Sequence, residues 1–421
     1  MSLRIPGCAA VAALAAMLVG GPSGAAAQTL APRDVARGVT VESRARPDYD
    51  PLGVRLGGFR LDGQVEAGAG YDSNLFGRRN NVVGDGYASE AGNVALASDW
   101  TRHAVGVSAN MQSRQYFSQR NQDWNDYNIG GFGRYDFSAD TRVDFAYRHY
   151  QEHYDVYNFD VQAAGIGRPV PYNSDEVQTT GSTRFNRIGL LATGLYRTYR
   201  FDNIAIGTTR TPVSLNDFNT AIGAFGATYA LAEGRNVTAI VRLQDISYTN
   251  QVSQGRNSFT WEGLLGFQYD FDGVWQGRIA VGWRRRDYEG RIKTLEGAAL
   301  EGQLTYIPTQ LTTVTFRVAR TIEESIRRDA VSYIKTTGGV RVDHEFLRNV
   351  ILGGELRADR REYNSPNETA TDGVFQFDAR YLFNRNVALI GTYSHARRLE
   401  HTGGFQEYDR DLVQLRLRVA L

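Results

Sequence analysis

The chain has little of what a water-soluble enzyme or a helical membrane protein depends on. One cysteine, Cys8, occurs in 421 residues, and it lies in a leader-like N-terminus. Without that leader the chain has no thiol, so disulfides and thiolate mechanisms are excluded. Lysine occurs only at positions 293 and 335, leaving arginine to supply nearly all of the 47 basic residues. The net charge is only +1, which excludes a strong field of one sign. Beyond the leader no apolar run approaches the ~20 residues of a spanning helix, and mean hydropathy is −0.39. No phosphate-binding loop of the GxxxxGK[ST] type is present, and the arginines are spread over alternating segments rather than gathered in one patch. Nucleic-acid binding is therefore not expected. The six histidines fall in no nucleophile motif, so neither catalysis nor a cofactor is expected. His149 and His153 are four apart, but without further ligands they read as rim residues rather than a metal site.

What is present is a period of two. In the last twelve residues Val413, Leu415, Leu417, Val419 and Leu421 alternate with Gln414, Arg416 and Arg418. That spacing puts the apolar set on one face of a strand and the charged set on the other. The pattern recurs at Phe59–Tyr71, Arg142–Arg148, Phe259–Phe271, Trp275–Arg284 and Phe375–Tyr381. Only alternate residues need be apolar when one strand face meets lipid and the other a wet interior, and this reconciles the low hydropathy with a membrane protein. A propeller or sandwich also repeats hairpins, but it would bury most central strand faces, whereas here one face keeps charges in mid-strand.

Connections alternate in length. Short ones are expected near 99–100, 138–140, 186–187, 231–235, 272–273, 308–310, 347–349 and 384–385. Long polar ones are expected at 72–86, 117–125, 155–175, 202–216, 249–257, 287–293, 323–331, 362–371 and 398–407. This predicts an all-β, antiparallel, up-and-down transmembrane barrel of about 18 strands, with short periplasmic turns and long extracellular loops. The link 155–175 is long enough to fold into the lumen. Tyr135-Asp136-Phe137, Tyr269-Asp270-Phe271 and Tyr381-Leu382-Phe383 each end a strand at a short turn, as an aromatic girdle would. Residues 1–27 read as a signal peptide, with Arg4, an apolar stretch over 9–19 and Ala25-Ala26-Ala27. Residues 28–57, with Pro32, Pro47 and Pro51, read as an extended periplasmic segment, and 58–421 as the barrel.

The run Arg46-Pro47-Asp48-Tyr49-Asp50-Pro51-Leu52-Gly53-Val54-Arg55-Leu56-Gly57-Gly58-Phe59, followed by Tyr71-Asp72-Ser73-Asn74-Leu75-Phe76, resembles the start of the putative beta-barrel porin 2 family. Tyr381 to Leu389, with Tyr393 and Arg397-Arg398, is similar to that family's closing hairpin. The resemblance covers roughly Arg46 to Leu421. It implies a Gram-negative outer-membrane barrel with a transport role, some members being associated with exopolysaccharide machinery. It carries over no set of functional residues. Many barrels end in Phe or Trp where this chain ends in Leu421.

Parity places a candidate pore lining on the inner face: Arg134, Arg142, Arg148, Arg242, Arg278, Arg317, Arg341, Arg357 and Arg380, with the acids Asp144, Glu262 and Asp378. Such charges either form interstrand ladders or line a conduit that favours anions. Arg285, Arg286, Arg360, Arg361, Arg397 and Arg398 cluster toward the outer rim, where they would contact lipopolysaccharide phosphates. The expected function is a porin-like channel for small or polymeric solutes, anions among them. An exit pore for exopolysaccharide and a non-conducting structural or adhesin barrel are the alternatives. The expected partners are the outer membrane and its lipopolysaccharide, the barrel-assembly machinery, and polysaccharide-export components. Parity also predicts that Val281→Arg, on the lipid face, is more damaging than Ala280→Arg beside it.

Overall fold

The computed structural model describes residues 38–421, except 207–208, 271 and 328 and the side chains of 205–211. The expected signal peptide lies outside the described residues, as do Phe271 and Arg328. Among the described residues eighteen antiparallel strands close a barrel. They are β1 (Phe59–Asp72), β2 (Asp85–Ser98), β3 (Ala104–Tyr116), β4 (Trp124–Asp136), β5 (Thr141–Tyr154) and β6 (Val170–Phe185). Then come β7 (Ile188–Phe201), β8 (Phe218–Ala232), β9 (Arg235–Tyr248), β10 (Ser258–Asp270), β11 (Trp275–Tyr288) and β12 (Leu295–Thr309). The circuit ends with β13 (Thr312–Glu324), β14 (Ser332–Leu347), β15 (Val350–Asn364), β16 (Asn367–Leu382), β17 (Val387–His401) and β18 (Asp409–Ala420). Each strand pairs with its neighbours in sequence, and β18 closes on β1 from Gln64↔Ala420 to Asp72↔Leu412.

The strand β18 ends before β1 does, which would leave residues 59–63 with an open edge. A three-residue strand, Val54–Leu56, turns back and pairs with Leu61 to Phe59, and the Leu421 amide donates to Gly63 at 2.9 Å. These contacts supply that edge with backbone partners that lipid could not. The expectation of an extended segment over 28–57 does not describe residues 38–53. They form turns and lie inside the periplasmic mouth, as described below.

Facing follows the sequence period. Phe267, Trp283 and Phe377 are 41%, 49% and 41% exposed on the outside, while Glu262 and Asp378 are buried inside. Tyr135 packs on Phe137 with ring centroids 4.8 Å apart, and Tyr381 on Phe383 at the same separation, so two periplasmic turns repeat one girdle motif. At the two-residue turns Asn186-Arg187 and Glu233-Gly234, Asn186 (φ 53°) and Gly234 (φ 68°) adopt the left-handed conformation that tight hairpins need. One connection departs from expectation. The link at 362–371 is not long: β15 and β16 stay paired to Asn364↔Asn367, leaving only Ser365 and Pro366 between them. Its polar residues alternate within the ladder instead of forming a loop.

The inner wall also holds an apolar patch that parity alone does not reveal. Ala224, Ile240, Leu264, Ala280 and Ala299 pack together across β8–β12, with Leu191 of β7 against them. Ala280, 8% exposed, is therefore not the tolerant inward position that the alternation implied. Gln303, inward on β12 and exposed to the lumen, is a better control. Val281→Arg should cost about 2–4 kcal/mol on the lipid face. Gln303→Arg should leave the yield of heat-modifiable, folded barrel close to the parent's. Equal loss from both substitutions would contradict the assigned facing.

Candidate functional site

Because paired residues share a face, each inward row crosses several strands at one level. Most inward charges are matched, either across a row or two residues along their own strand. Glu262 accepts from Arg242 on one side and Arg284 on the other, and Arg242 also reaches Glu301 at 3.4 Å. Arg341 meets Asp343 at 2.7 Å and Asp378 at 3.0 Å. Arg148 pairs with Glu176 at 3.0 Å, Arg134 with Asp136 at 3.2 Å, and Arg142 with Asp144 at 3.4 Å.

One row is different. Asn236, Gln268, Arg278, Gln303, Arg317, Gly339 and Arg357 are direct partners in succession from β9 to β15, with no acid among them. Arg357 borrows Glu355 (3.7 Å) and Asp359 (3.1 Å) from its own strand. Arg278 and Arg317 make no side-chain hydrogen bond or ion pair with the described residues. Arg418, inward near the end of β18, makes none either. Sequence parity named Arg278, Arg317 and Arg357; their register in one row emerges only once the strands are paired.

The extracellular end is closed by the β5–β6 loop, which folds inward. Within it α1 (Phe159–Ala163) starts at Asn158, whose side chain accepts the Asp160 amide at 3.0 Å. Phe159 lies 3.7 Å centroid-to-centroid from Phe405, and the Arg398 guanidinium sits 4.5 Å from its ring. Asp160 is buried, accepting from the Tyr363 hydroxyl and from the Ile326 amide at 3.2 Å. Burial pushes its carboxyl up, against the pull of those donors. Gln162 donates to the carbonyls of Phe76 and Gly77 at 3.1 and 3.0 Å. Val161 and Ile166 join an aromatic arc on the inner wall that includes Tyr172, Tyr199, Phe218 and Tyr248. At the loop's root, burial alone would raise the Asp155 carboxyl. Hydrogen bonds from His153 (3.2 Å) and Tyr157 (2.6 Å), with the His153 charge, hold it well below its usual range instead.

The periplasmic end is crossed by residues 38–50, here called the strap. Val41 is fully buried against Ile351, Leu382 and Ala388, and its amide donates to Thr313 Oγ1 at 2.9 Å. Arg46 bonds Glu345 at 2.9 Å, Arg44 donates to the Gln310 carbonyl at 3.2 Å, and Arg385 donates to the Pro47 carbonyl at 2.7 Å. Arg380 forks onto both oxygens of Glu42. No hydrophobic period runs through this segment, so sequence patterning gave no sign of it.

The expected outer-rim set divides by parity. Arg285, Arg360 and Arg397 face outward, but each already pairs with an acid: Asp287 (3.0 Å), Glu400 (2.8 Å) and Asp409 (3.4 Å) respectively. Arg286, Arg361 and Arg398 are one residue further on and point inward. Arg286 is 1% exposed among Glu324, Thr260 and Gln244, and both Arg361 and Arg398 bind Asp372. The expectation of lipopolysaccharide contact is therefore corrected for these three. Adjacent strand residues cannot share a face. His149 and His153 share a strand face but take different partners, His149 Asp175 at 2.9 Å and His153 Asp126 at 2.8 Å.

Strap seating should depend on pH. Burial alone would raise the Glu42 carboxyl, but Arg380, with Arg341 and Arg46 further off, holds it below its ordinary 4.5. The other charged groups around it are Asp378 beside Arg380, Asp343 and Glu345 on β14, and Arg418 and Asp50. A carboxyl depressed when seated stabilises the seated state above its free value, and that contribution is lost as pH falls through the seated value. Exchange of the Val41 amide, corrected for intrinsic chemistry, should therefore accelerate below pH 4.5. In Glu42→Gln it should be fast at every pH. Unchanged protection down to pH 3 would contradict the assignment.

The barrel is similar in fold to Pseudomonas aeruginosa OccK9 (OpdG), at 12% identity, over 86% of this chain and 98% of that one, with a TM-score of 0.45. A BenF-like porin from Pseudomonas fluorescens Pf-5 aligns at 11% identity over 86% and 99%, with a TM-score of 0.47. The siderophore receptor PirA from Acinetobacter baumannii aligns at 8% identity over 86% and 80%, with a TM-score of 0.45. No curated protein sequence matches the chain. Residues 46–421 match the putative beta-barrel porin 2 family, and the chain belongs to that family of outer-membrane β-barrels.

Proposed function

We propose that the barrel is a diffusion channel for small anionic solutes, narrowed from outside by the β5–β6 loop. The observation that carries this reading is the acid-free row holding Arg278 and Arg317. Arg317 has no acid among its described partners, and the nearest acid to Arg278, Glu301, is already shared with Arg242, so the row leaves a net positive potential, screened over ~10 Å at 0.1 M salt. Matched pairs such as Arg242–Glu262 cancel locally and contribute little. A polymer as wide as an exopolysaccharide would need both closures displaced, so small solutes are the better fit. At the outer rim, Arg285, Arg360 and Arg397 are the candidates for lipopolysaccharide contact, each in competition with its present acid.

One observation favours a second reading, a non-conducting structural barrel: closures stand at both ends, and the loop is held by buried charged and aromatic contacts. Planar-bilayer conductance of the refolded protein separates the two. Under a salt gradient the reversal potential should show modest anion preference, weakening as salt rises. Arg278→Glu with Arg317→Glu should reverse it, whereas Arg357→Glu should shift it less, because Arg357 already has two carboxylates. Replacing 157–167 by a short Gly-Ser link should raise unit conductance several-fold. A barrel that stays silent after both that replacement and removal of the strap would leave the structural reading.

A further inference from the structure

At the periplasmic mouth the chain supplies an acid to an arginine of its own wall, and the details suggest more than an anchor. Arg380 grips Glu42 through both terminal nitrogens, the two-point geometry with which guanidinium recognises a free carboxylate. The two partners differ in how firmly they are held. The Arg380 side chain is 22% exposed in the wall of β16, whereas that of Glu42 is 55% exposed on a segment with no ladder of its own. The acid can leave while the arginine stays in place.

Two of the donors there are also unused. Among the described residues the Nε atoms of Arg380 and Arg418 are both buried without a partner, and the acids around the two are Glu66, the direct strand partner of Arg418, with Glu42, Asp50, Asp378 and Asp343. An anion in place of Glu42 would meet the Arg380 fork and the Arg418 guanidinium, with the strap acid displaced and the wall acids still beside them. The position lies on the route between the lumen and the periplasm, because the strap crosses the ends of β13–β17.

We propose that Arg380, assisted by Arg418, forms a binding site for solute carboxylates at the periplasmic mouth, occupied in the resting barrel by Glu42 as a tethered competitor. A permeating organic acid takes the Glu42 position, loosens the strap between its Val41 and Arg46 anchors and passes; Glu42 then reseats. This deepens the channel reading and rests on it for the passage step, though the exchange at Arg380 can be tested without current.

The test uses the refolded barrel without its leader, which has no cysteine, with a spin label on Ala45→Cys. Glutarate or acetate at constant ionic strength should convert the label from an immobile to a mobile population in a saturable way, and chloride should not. In Glu42→Gln the label should be mobile without any added acid. In Arg380→Gln it should be mobile and unresponsive to carboxylates. In bilayers, removing the competitor with Glu42→Gln should lower the carboxylate concentration for half-saturation of the carboxylate current by about tenfold, given millimolar effective concentrations for tethered groups. An equal response to chloride, or an immobile label in Glu42→Gln, overturns the site. A mobile strap with no current through any variant overturns the channel reading and leaves the site standing.

Discussion

Everything in this structure depends on one requirement, that no backbone donor or acceptor be left to hydrocarbon. A sheet meets it only by closing, so β1 must find β18 across nearly the whole sequence. The same requirement explains the smaller features at the seam. Where β18 runs out, Val54–Leu56 takes over the edge of β1. Once the ring is closed, each residue has one of two environments, lipid or lumen, and its neighbours in sequence have the other. Charge on one face and aromatic rings on the other then follow without further specification.

That rule made most of the fold legible in the sequence. A period of two is local, recurs through most strands and needs no knowledge of partners, so inward Arg242, Glu262 and Asp378 could be read directly. Register could not, because it depends on which residues pair across strands. Arg278, Arg317 and Arg357 were visible as inward residues, but not as one acid-free row. The Arg-Arg doublets show the same limit from the other side. As a rim cluster they looked like a single surface, yet alternation required each to split, sending Arg286, Arg361 and Arg398 inside. Segments without a period were the least legible. The strap has no repeating pattern, and its place is set by single anchors such as Val41 and Arg46 that resemble any loop residue until their partners are known.

The two closures use the same chemistry with different consequences. Outside, the charged groups that hold the loop are buried. The Arg398 side chain is 0% exposed, Asp160 is 5% exposed, and Phe159, Phe405 and Tyr363 stack around them. Removing one partner of such a contact leaves a buried group without its complement, which costs several kcal/mol. The loop is thus tied to strands on several sides of the mouth, and displacing it means breaking many contacts together.

Inside, the strap is anchored by Val41 and by Arg46, whose pair with Glu345 is also buried, but its Glu42 is more than half exposed. An ion pair in that setting is worth about 0–1 kcal/mol and is open to competition by other anions. In the proposed channel this difference would set a direction. The outer loop would narrow what enters, the acid-free row of β9–β15 would attract what is negative, and the exposed Arg380–Glu42 contact would exchange for a carboxylate at the far end. The order of these elements along the axis follows from where buried and exposed charge pairs sit, and each is made from the same few arginine–carboxylate contacts.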